Sequence, residues 1–295
     1  MIDERLVLGT AALGGVWGKI NPDHSVAAIL TALESGIPAI DTAPAYGDAE
    51  LFLGTALRQW KGQRPIISSK TGRLQTFAAH DGKYDFTEKG MLTGVENTLR
   101  TLDITTLDIL FLHDPEVIRK EDAGKIMETL IRCREQGLAK YLGTGGNRPA
   151  WMTDYLNAGV FDVMMEFNRL NAANVAAMQD SLPFCRDRHI RYYAASPLNM
   201  GLLGKSLDAF RQMKPAWLPA AALDTAGKLE ELASGNGMLL RTLAHRFLIS
   251  LPYQFNIVIG PENKTELQDS LTDFAAGPLP EQVLEEVLLC SQGKV

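Results

Sequence analysis

The chain has only three cysteines in 295 residues, Cys133, Cys185 and Cys290. They are far apart and odd in number, so they make neither a disulfide framework nor a metal-ligand spacing. Buried spectator thiols in a reducing cytoplasm account for them. An excess of basic charge is also missing. The formal net charge is −6 and no block of like charge stands out, so the composition that nonspecific nucleic-acid binding requires is absent. No uninterrupted apolar run reaches bilayer-spanning length. The opening Met-Ile-Asp-Glu-Arg lacks a signal-peptide pattern. No linker or shift of composition divides the chain, so residues 1–295 read as one domain. These absences together describe a cytoplasmic protein whose partner is a small molecule rather than nucleic acid or membrane. Monomer and homodimer both stay open.

What is present is an ordinary globular balance, 46% hydrophobic and 22% charged, with short β-type runs alternating with amphipathic stretches. Strands are expected at Arg5–Gly9, Ile37–Asp41, Pro65–Lys70, Leu107–Leu112, Ala139–Thr144, Asp162–Met165, Arg191–Ser196 and Asn256–Gly260. Helices are expected at Ser25–Glu34, Asp48–Trp60, Glu88–Leu102, Ala123–Gln136, Trp151–Asn157, Asn171–Arg188, Asn236–Ser250, Lys264–Ala275 and Pro280–Leu289. Eight strands alternating with helices in a chain of this length favour a single-domain α/β fold, the (β/α)8 TIM barrel. The structural alternative is a doubly wound sheet, which usually carries a Gly-x-Gly-x-x-Gly turn after its first strand. The turn here, Gly9-Thr-Ala-Ala-Leu-Gly14-Gly, does not match that pattern. Long loops are expected after the third strand, Gly72–Phe86, and after the seventh, Leu198–Thr225. In a barrel both overhang the active-site face.

Four polar residues fall just after apolar runs: Asp41, Tyr46, Lys70 and His113. If the runs are neighbouring barrel strands, all four side chains gather at one rim. A phenol has an ordinary pKa of about 10, too high for a base near neutrality. A nearby ammonium stabilises phenolate, which is the part Lys70 can play, with Asp41 holding the ammonium and His113 orienting a substrate oxygen. Taken singly, each residue has a plainer explanation as a cap, a packing group or a solvated charge. Their combined spacing favours the catalytic one. His24, His80, His189 and His245 have no convergent partner in sequence, which suits surface or satisfied packing roles rather than a metal site.

The stretch Gly36-Ile-Pro-Ala-Ile-Asp41-Thr-Ala-Pro-Ala-Tyr46-Gly-Asp-Ala-Glu50-Leu-Phe-Leu-Gly54 resembles the signature of the aldo-keto reductases. That resemblance implies a barrel binding NAD(P) in extended form, with Asp41, Tyr46, Lys70 and His113 as catalytic tetrad. A second match, Ala195-Ser196-Pro-Leu198-Asn-Met-Gly201-Leu-Leu203 followed by Lys214-Pro-Ala-Trp217-Leu-Pro219, is similar to the aldose 1-dehydrogenase branch. Lys83-Tyr-Asp85-Phe86-Thr and His113-Asp114-Pro-Glu116 are similar to that branch as well. It implies oxidation of the anomeric hydroxyl of a free sugar to a lactone, with Tyr46 as base. Two other readings stay open: an NADPH-dependent aldehyde or ketone reductase using the same tetrad, and a redox-sensing cofactor-binding subunit with little turnover.

The resemblance also implies contacts. Ser196, Leu198, Gly201 and the more distant Lys205 meet the cofactor's pyrophosphate region. Thr10, Asp41 and Gly145 lie along its path, and Glu166 takes the place of a carboxamide-holding Gln. Ala195 replaces a stacking aromatic, and Gly145-Gly146 replaces a Ser-Asn pair. On the last strand and beyond come Ile259, Gly260, Glu262 and Asp269. The acidic residues there disfavour a 2′-phosphate, which inclines the cofactor expectation to NAD over NADP. Trp17, Tyr46 and His113 are the expected substrate contacts, with Trp217 a lesser candidate.

Overall fold

The apolar runs become strands covered on both faces, which is why they read as continuous hydrophobic segments rather than as alternating ones. The computed structural model describes residues 3–293. In it eight parallel strands close into a barrel in sequence order. They are β1 (Leu6–Gly9), β2 (Ala39–Asp41), β3 (Ile66–Thr71), β4 (Leu107–His113), β5 (Ala139–Gly145), β6 (Val163–Phe167), β7 (Arg191–Ala195) and β8 (Asn256–Ile259). The seam closes where β1 pairs with β8, Val7 opposite Val258.

Helices form the outer ring: α1 (Pro22–Glu34), α2 (Ala49–Gln59), α3 (Glu88–Leu102), α4 (Ala123–Glu135), α5 (Thr153–Asn157), α6 (Ser181–Asp187), α7 (Leu207–Gln212), α8 (Ala220–Gly235), α9 (Leu240–Ser250), α10 (Lys264–Ala275) and α11 (Glu281–Ser291). Capping follows local chemistry. The side chains of Asn21, Thr87 and Asn263 accept hydrogen bonds from the first-turn amides of α1, α3 and α10. Among the described residues no helix is long and apolar enough to cross a membrane.

Two cores result from the alternation of side chains along each strand. One fills the lumen with Val7, Ala39, Ile109, Phe111, Val163, Met165, Tyr193 and Val258. The other lies between barrel and helices and takes residues of opposite parity, such as Leu8, Ile40, Ile67, Leu110, Met164, Tyr192 and Ile259. The lumen is narrow beside β5. A Cβ on Gly143 would stand 2.4 Å from the Phe111 ring, so only glycine lets that ring lie across the barrel. The three cysteines are free and buried. Burial pushes the Cys133 thiol up to about 11 and that of Cys185 to about 12.

Three expectations are corrected. The helix expected over Asn171–Arg188 is instead a tight turn, a short 3-10 segment and the seven-residue α6. Asn171 and Asn174 pair backbone to backbone, and their side-chain oxygens accept from Ala173 and Ala176 amides. Such local bonds compete with helix. The loop expected over Leu198–Thr225 contains α7 and the first turns of α8. The helix expected from Asn236 starts only at Leu240, because α8 already occupies the chain to Gly235 and Gly237 turns it with φ +65°.

His245 has a partner after all. It is 1% exposed, and its Nδ1 lies 2.9 Å from Asp273 Oδ2 across the α9–α10 contact. Asp273 also accepts from Arg241 Nε at 2.7 Å and Thr242 Oγ1 at 2.6 Å. Burial holds the His245 imidazole below its ordinary value despite Asp273. Burial works against ionisation of Asp273, yet its bonds to His245, Arg241 and Thr242 outweigh that and hold its carboxyl low. Both groups have folded values below their unfolded ones. Their stabilisation is therefore complete above the unfolded values and lost as pH falls through the folded ones. Asp273→Ala leaves the buried His245 without its partner while Arg241 keeps Asp269, so it is expected to cost about 1–3 kcal/mol near neutrality. The penalty should shrink on acidification, as read by denaturant unfolding at stepped pH.

Candidate active site

Alternation fixes where the polar side chains go. On β2, Ala39 faces the lumen, so Asp41 does too. On β4, Ile109 and Phe111 face in, so His113 follows them at the C-terminal rim. On β3, Ile67 faces the helices, which puts Ser68 and Lys70 inside. Lys70 is 2% exposed and Asp41 also 2%. Lys70 Nζ donates to Asp41 Oδ2 at 2.6 Å and to the Thr42 carbonyl at 3.0 Å. Ser68 Oγ donates to Asp41 Oδ1 at 2.7 Å. The Asp41 carbonyl accepts from the Thr10 amide at 3.0 Å and its hydroxyl at 3.1 Å.

Tyr46 arrives from the loop between β2 and α2. Its turn is pressed against the one after β1, where Asp48 N donates to the Gly14 carbonyl at 3.0 Å. A Cβ on Gly14 would fall 1.7 Å from the Tyr46 carbonyl oxygen. The approach is possible only with glycine there. Lys70 Nζ lies over the Tyr46 ring, 4.8 Å from its centroid, so its charge acts directly on the phenol. His113 meets the same ring edge-on, with centroids 5.8 Å apart. The four expected residues therefore share one buried corner of the lumen.

The electrostatics of the corner are set by burial and Lys70. Burial pulls the Lys70 ammonium down, but Asp41 and Tyr46 outweigh it and hold the group above its ordinary value. Burial pushes the Tyr46 phenol up and Lys70 partly opposes this, leaving it above its ordinary value. Burial, then the charges of Lys70 and Arg73, drives the His113 imidazole well down, so it is neutral. The corner thus holds a protonated phenol, a fixed ammonium and a neutral imidazole whose buried Nδ1 has no partner. It can hold a substrate oxygen and pass one proton to or from it.

Other expected contacts spread round the rim. Gly145 lies beside Lys70, where a Cβ would come 3.7 Å from Cε. Ala195 faces the lumen, and Ser196, Asn199, Met200 and Gly201 follow with positive φ in a tightly curled turn. Ser196 Oγ accepts from the Met200 amide at 3.2 Å. Leu198 packs against the outer core. Lys205 Nζ is held by Glu262 at 2.5 Å and Glu266 at 2.7 Å, joining the β7 loop to the start of α10. Asp269 turns to Arg241 at 2.7 Å.

Glu166 and Ile259 need correction as direct side-chain contacts. Met165 faces in, so Glu166 faces the helices, where it accepts from Tyr192 Oη at 3.0 Å and pairs with Arg169 at 3.2 Å. Ile259 is likewise in the outer core, leaving its backbone and Gly260 towards the rim. Trp17 is half-exposed on the loop after β1, whereas Trp217 packs edge-on against Phe210 of α7.

A nicotinamide dinucleotide fits these surroundings. Asn168, just after β6, has a buried Oδ1 without a hydrogen-bond partner. No atom lies within 4 Å of a Cβ built on Gly260. Those two features leave an acceptor and an open cradle between β6 and β8. Residues not expected from sequence also line the rim. Asp114 takes hydrogen bonds from Arg73 and Tyr84, and Phe167 is 42% exposed at the inward parity of β6. Asp114 stands in the His113-Asp114-Pro-Glu116 motif, which carries no role for it in the sequence reading.

A model of the aldo/keto reductase family matches residues 5–291. L-galactose dehydrogenase of Arabidopsis thaliana is 25% identical over 292 residues, covering 95% of this chain and 88% of the relative. D-threo-aldose 1-dehydrogenase of a Pseudomonas species is 25% identical over 295 residues, covering 92% and 89%. Among solved structures, a glycerol dehydrogenase from Gluconobacter oxydans superposes with a TM-score of 0.80 at 23% identity, covering 100% of this chain and 95% of that one. That likeness speaks for the fold. With the family match spanning nearly the whole described barrel, the chain belongs to the aldo/keto reductase family and is an NAD(P)-dependent oxidoreductase.

Proposed function

We propose that the protein oxidises the anomeric C1 hydroxyl of a free aldose to the lactone, with Tyr46 taking the hydroxyl proton. The observation that carries the proton step is the Lys70 ammonium fixed between Asp41 Oδ2 at 2.6 Å and the Tyr46 phenol, with neutral His113 edge-on to the same ring. The aldose reading is supported by the two sugar dehydrogenases to which the chain is similar over about nine-tenths of its length.

When bound, the dinucleotide supplies the acceptor for the hydride leaving C1. The chain's residues do the rest. His113, being neutral, donates or accepts one hydrogen bond and aligns the C1 oxygen with Tyr46. Lys70 stabilises the phenolate that receives the proton, and Asp41 with the Thr42 carbonyl keeps the ammonium in place. Asn168, Gly145, Ser196 and Gly260 are the residues assigned to the dinucleotide. Glu262 and Glu266 already occupy Lys205. A 2′-phosphate brought there would meet two carboxylates, which favours NAD over NADP.

One observation favours a second reading, carbonyl reduction. Burial leaves the Tyr46 phenol above its ordinary value, so near neutrality it carries the proton a reduction needs. The two directions have opposite pH dependences. Oxidation needs phenolate and should rise with pH through the alkaline range, whereas reduction should be flat and then fall. Lys70→Met removes the cation that lowers the phenol, so the alkaline limb of oxidation should move to higher pH with a lower plateau. An unchanged profile in that variant argues against Lys70 tuning Tyr46.

Tyr46→Phe is expected to lower kcat by about 10²–10⁴-fold, the usual range for a lost general acid–base, while cofactor still binds by fluorescence titration. An NAD⁺-reduction screen of free aldoses, including L-galactose, L-fucose and D-arabinose, tests the substrate class. Cofactor binding without turnover of any sugar or carbonyl would instead indicate a redox-sensing binding subunit.

A further inference from the structure

We propose that Asp114 and Arg73 form a polar wall beside His113 that selects substrates carrying a hydroxyl on the carbon next to the reacting one. This rests on the reading above only in that His113 and Tyr46 receive the reacting oxygen; the sugar's identity is not needed.

The wall is built and held rather than merely exposed. Asp114 sits at φ +48°, a left-handed conformation that Asp tolerates better than most residues. Its amide donates to the Gly145 carbonyl at 2.8 Å, which fixes the residue to the end of β5. Oδ2 accepts from Arg73 Nη1 and from Tyr84 Oη, each at 3.0 Å. Arg73 is itself anchored, since Nη2 donates to the Ala79 carbonyl at 2.7 Å and the Asp81 carbonyl at 3.2 Å. The 72–86 loop is therefore folded as a hairpin, with Leu74 N on the Lys83 carbonyl and Asp85 N on the Gly72 carbonyl, both 2.8 Å. Ala79 N reaches the Val16 carbonyl at 3.1 Å, tying the hairpin to the loop that bears Trp17.

Two hydrogen-bonding groups of this framework are unused. Asp114 Oδ1 faces His113 Nε2 across 3.7 Å, beyond hydrogen-bonding distance. Arg73 Nε is buried and has no partner. An acceptor and a donor on one rigid carboxylate–guanidinium pair suit a hydroxyl, which both donates and accepts. Oδ1 lies 3.7 Å from His113 Nε2, so when that nitrogen holds the reacting oxygen, a hydroxyl on the adjoining carbon comes within reach of Oδ1. A substrate with hydrogen there buries a carboxylate oxygen and leaves it unpaired. A site with a buried polar group waiting for a hydroxyl rejects the analogue that lacks it far more strongly than an apolar pocket rejects an added group.

The test compares each substrate with its deoxy counterpart in wild type, Asp114→Ala and Asp114→Asn. One pair is an aldose and its 2-deoxy form, oxidised with NAD⁺. The other is lactaldehyde and propanal, reduced with NADH. In wild type the hydroxylated member should lead in kcat/KM by about a hundredfold, and Asp114→Ala should bring the ratio below about fivefold. Asp114→Asn, which keeps the shape and loses the charge, should fall between and serves where the Ala variant does not fold. A purely structural Asp114 would lower both members of a pair equally, and a ratio unchanged from wild type overturns the proposal. So does a wild-type ratio near one. If no aldose is oxidised but the lactaldehyde-to-propanal ratio collapses in the variant, the aldose reading fails and the wall stands. If aldoses are oxidised with an unmoved ratio, the wall fails and the aldose reading stands.

Discussion

The buried ion pair between Asp41 and Lys70 is the interaction on which the rest of the site depends. Two charges at 2% exposure each have lost water that costs several kcal/mol per ion to remove. Such a pair persists only when its remaining lone pairs and protons are also satisfied. Here Ser68 takes the second Asp41 oxygen, and the Thr42 carbonyl takes another Lys70 proton. Thr10 pins the Asp41 backbone from β1. Strands β1, β2 and β3 are thus stitched together at one corner of the rim, and the geometry of that corner is the geometry of the ammonium. The fixed cation then acts on its neighbours. It helps keep His113 neutral, opposes the effect of burial on Tyr46, and lies near the Phe111 ring at 5.6 Å from the centroid.

A charge held this tightly needs space that side chains elsewhere give up. Gly14 lets the Tyr46 turn come against β1, and Gly143 lets Phe111 cross the lumen beneath Lys70. Both are places where a single methyl group would meet an atom well inside contact distance. The same closeness explains why the tetrad residues come from separate short elements, yet end up in one corner. Parity along β2, β3 and β4 aims three of them inward, and the glycine-to-backbone contact brings the fourth.

The barrel and the meeting of Asp41, Tyr46, Lys70 and His113 at one rim were legible in sequence for the same reason. Strands covered on both faces keep their apolar runs, and the polar residue that ends such a run marks the rim. The cofactor side was read less well. Glu166 was placed by motif position, but Val163 and Met165 face inward, and alternation then sends Glu166 outward to Tyr192 and Arg169. The Asn171–Asn174 turn hid inside an apparent helix because Ala and Leu spacing says nothing about whether an Asn side chain will bond its own backbone. The start of α8, just after Pro219, lay in the stretch Leu198–Thr225 that read as loop, although proline suits the start of a helix. No role for Arg73 and Tyr84 follows from sequence, even with Tyr84 in a recognised motif, because it exists only once the 72–86 hairpin folds back onto β4.

The corner formed by Asp41, Tyr46, Lys70 and His113 does not by itself fix which direction the chemistry runs. A proton donor in one direction is the acceptor in the other, and the same phenol, ammonium and imidazole serve both. Burial outweighs the Lys70 charge and leaves the phenol protonated near neutrality, so the proton-accepting form is reached only when that proton is lost. Selection has to come from groups that touch the rest of the substrate. Of those, the Asp114–Arg73 pair is the one tied directly to the chemistry, through the 3.7 Å approach of Asp114 to His113 and the effect of the Arg73 charge on that imidazole. A polyol reaching this wall replaces lost water with hydrogen bonds, and a simple aldehyde does not. In the proposed wall, specificity for hydroxylated substrates follows from the cost of leaving a fixed carboxylate unpaired.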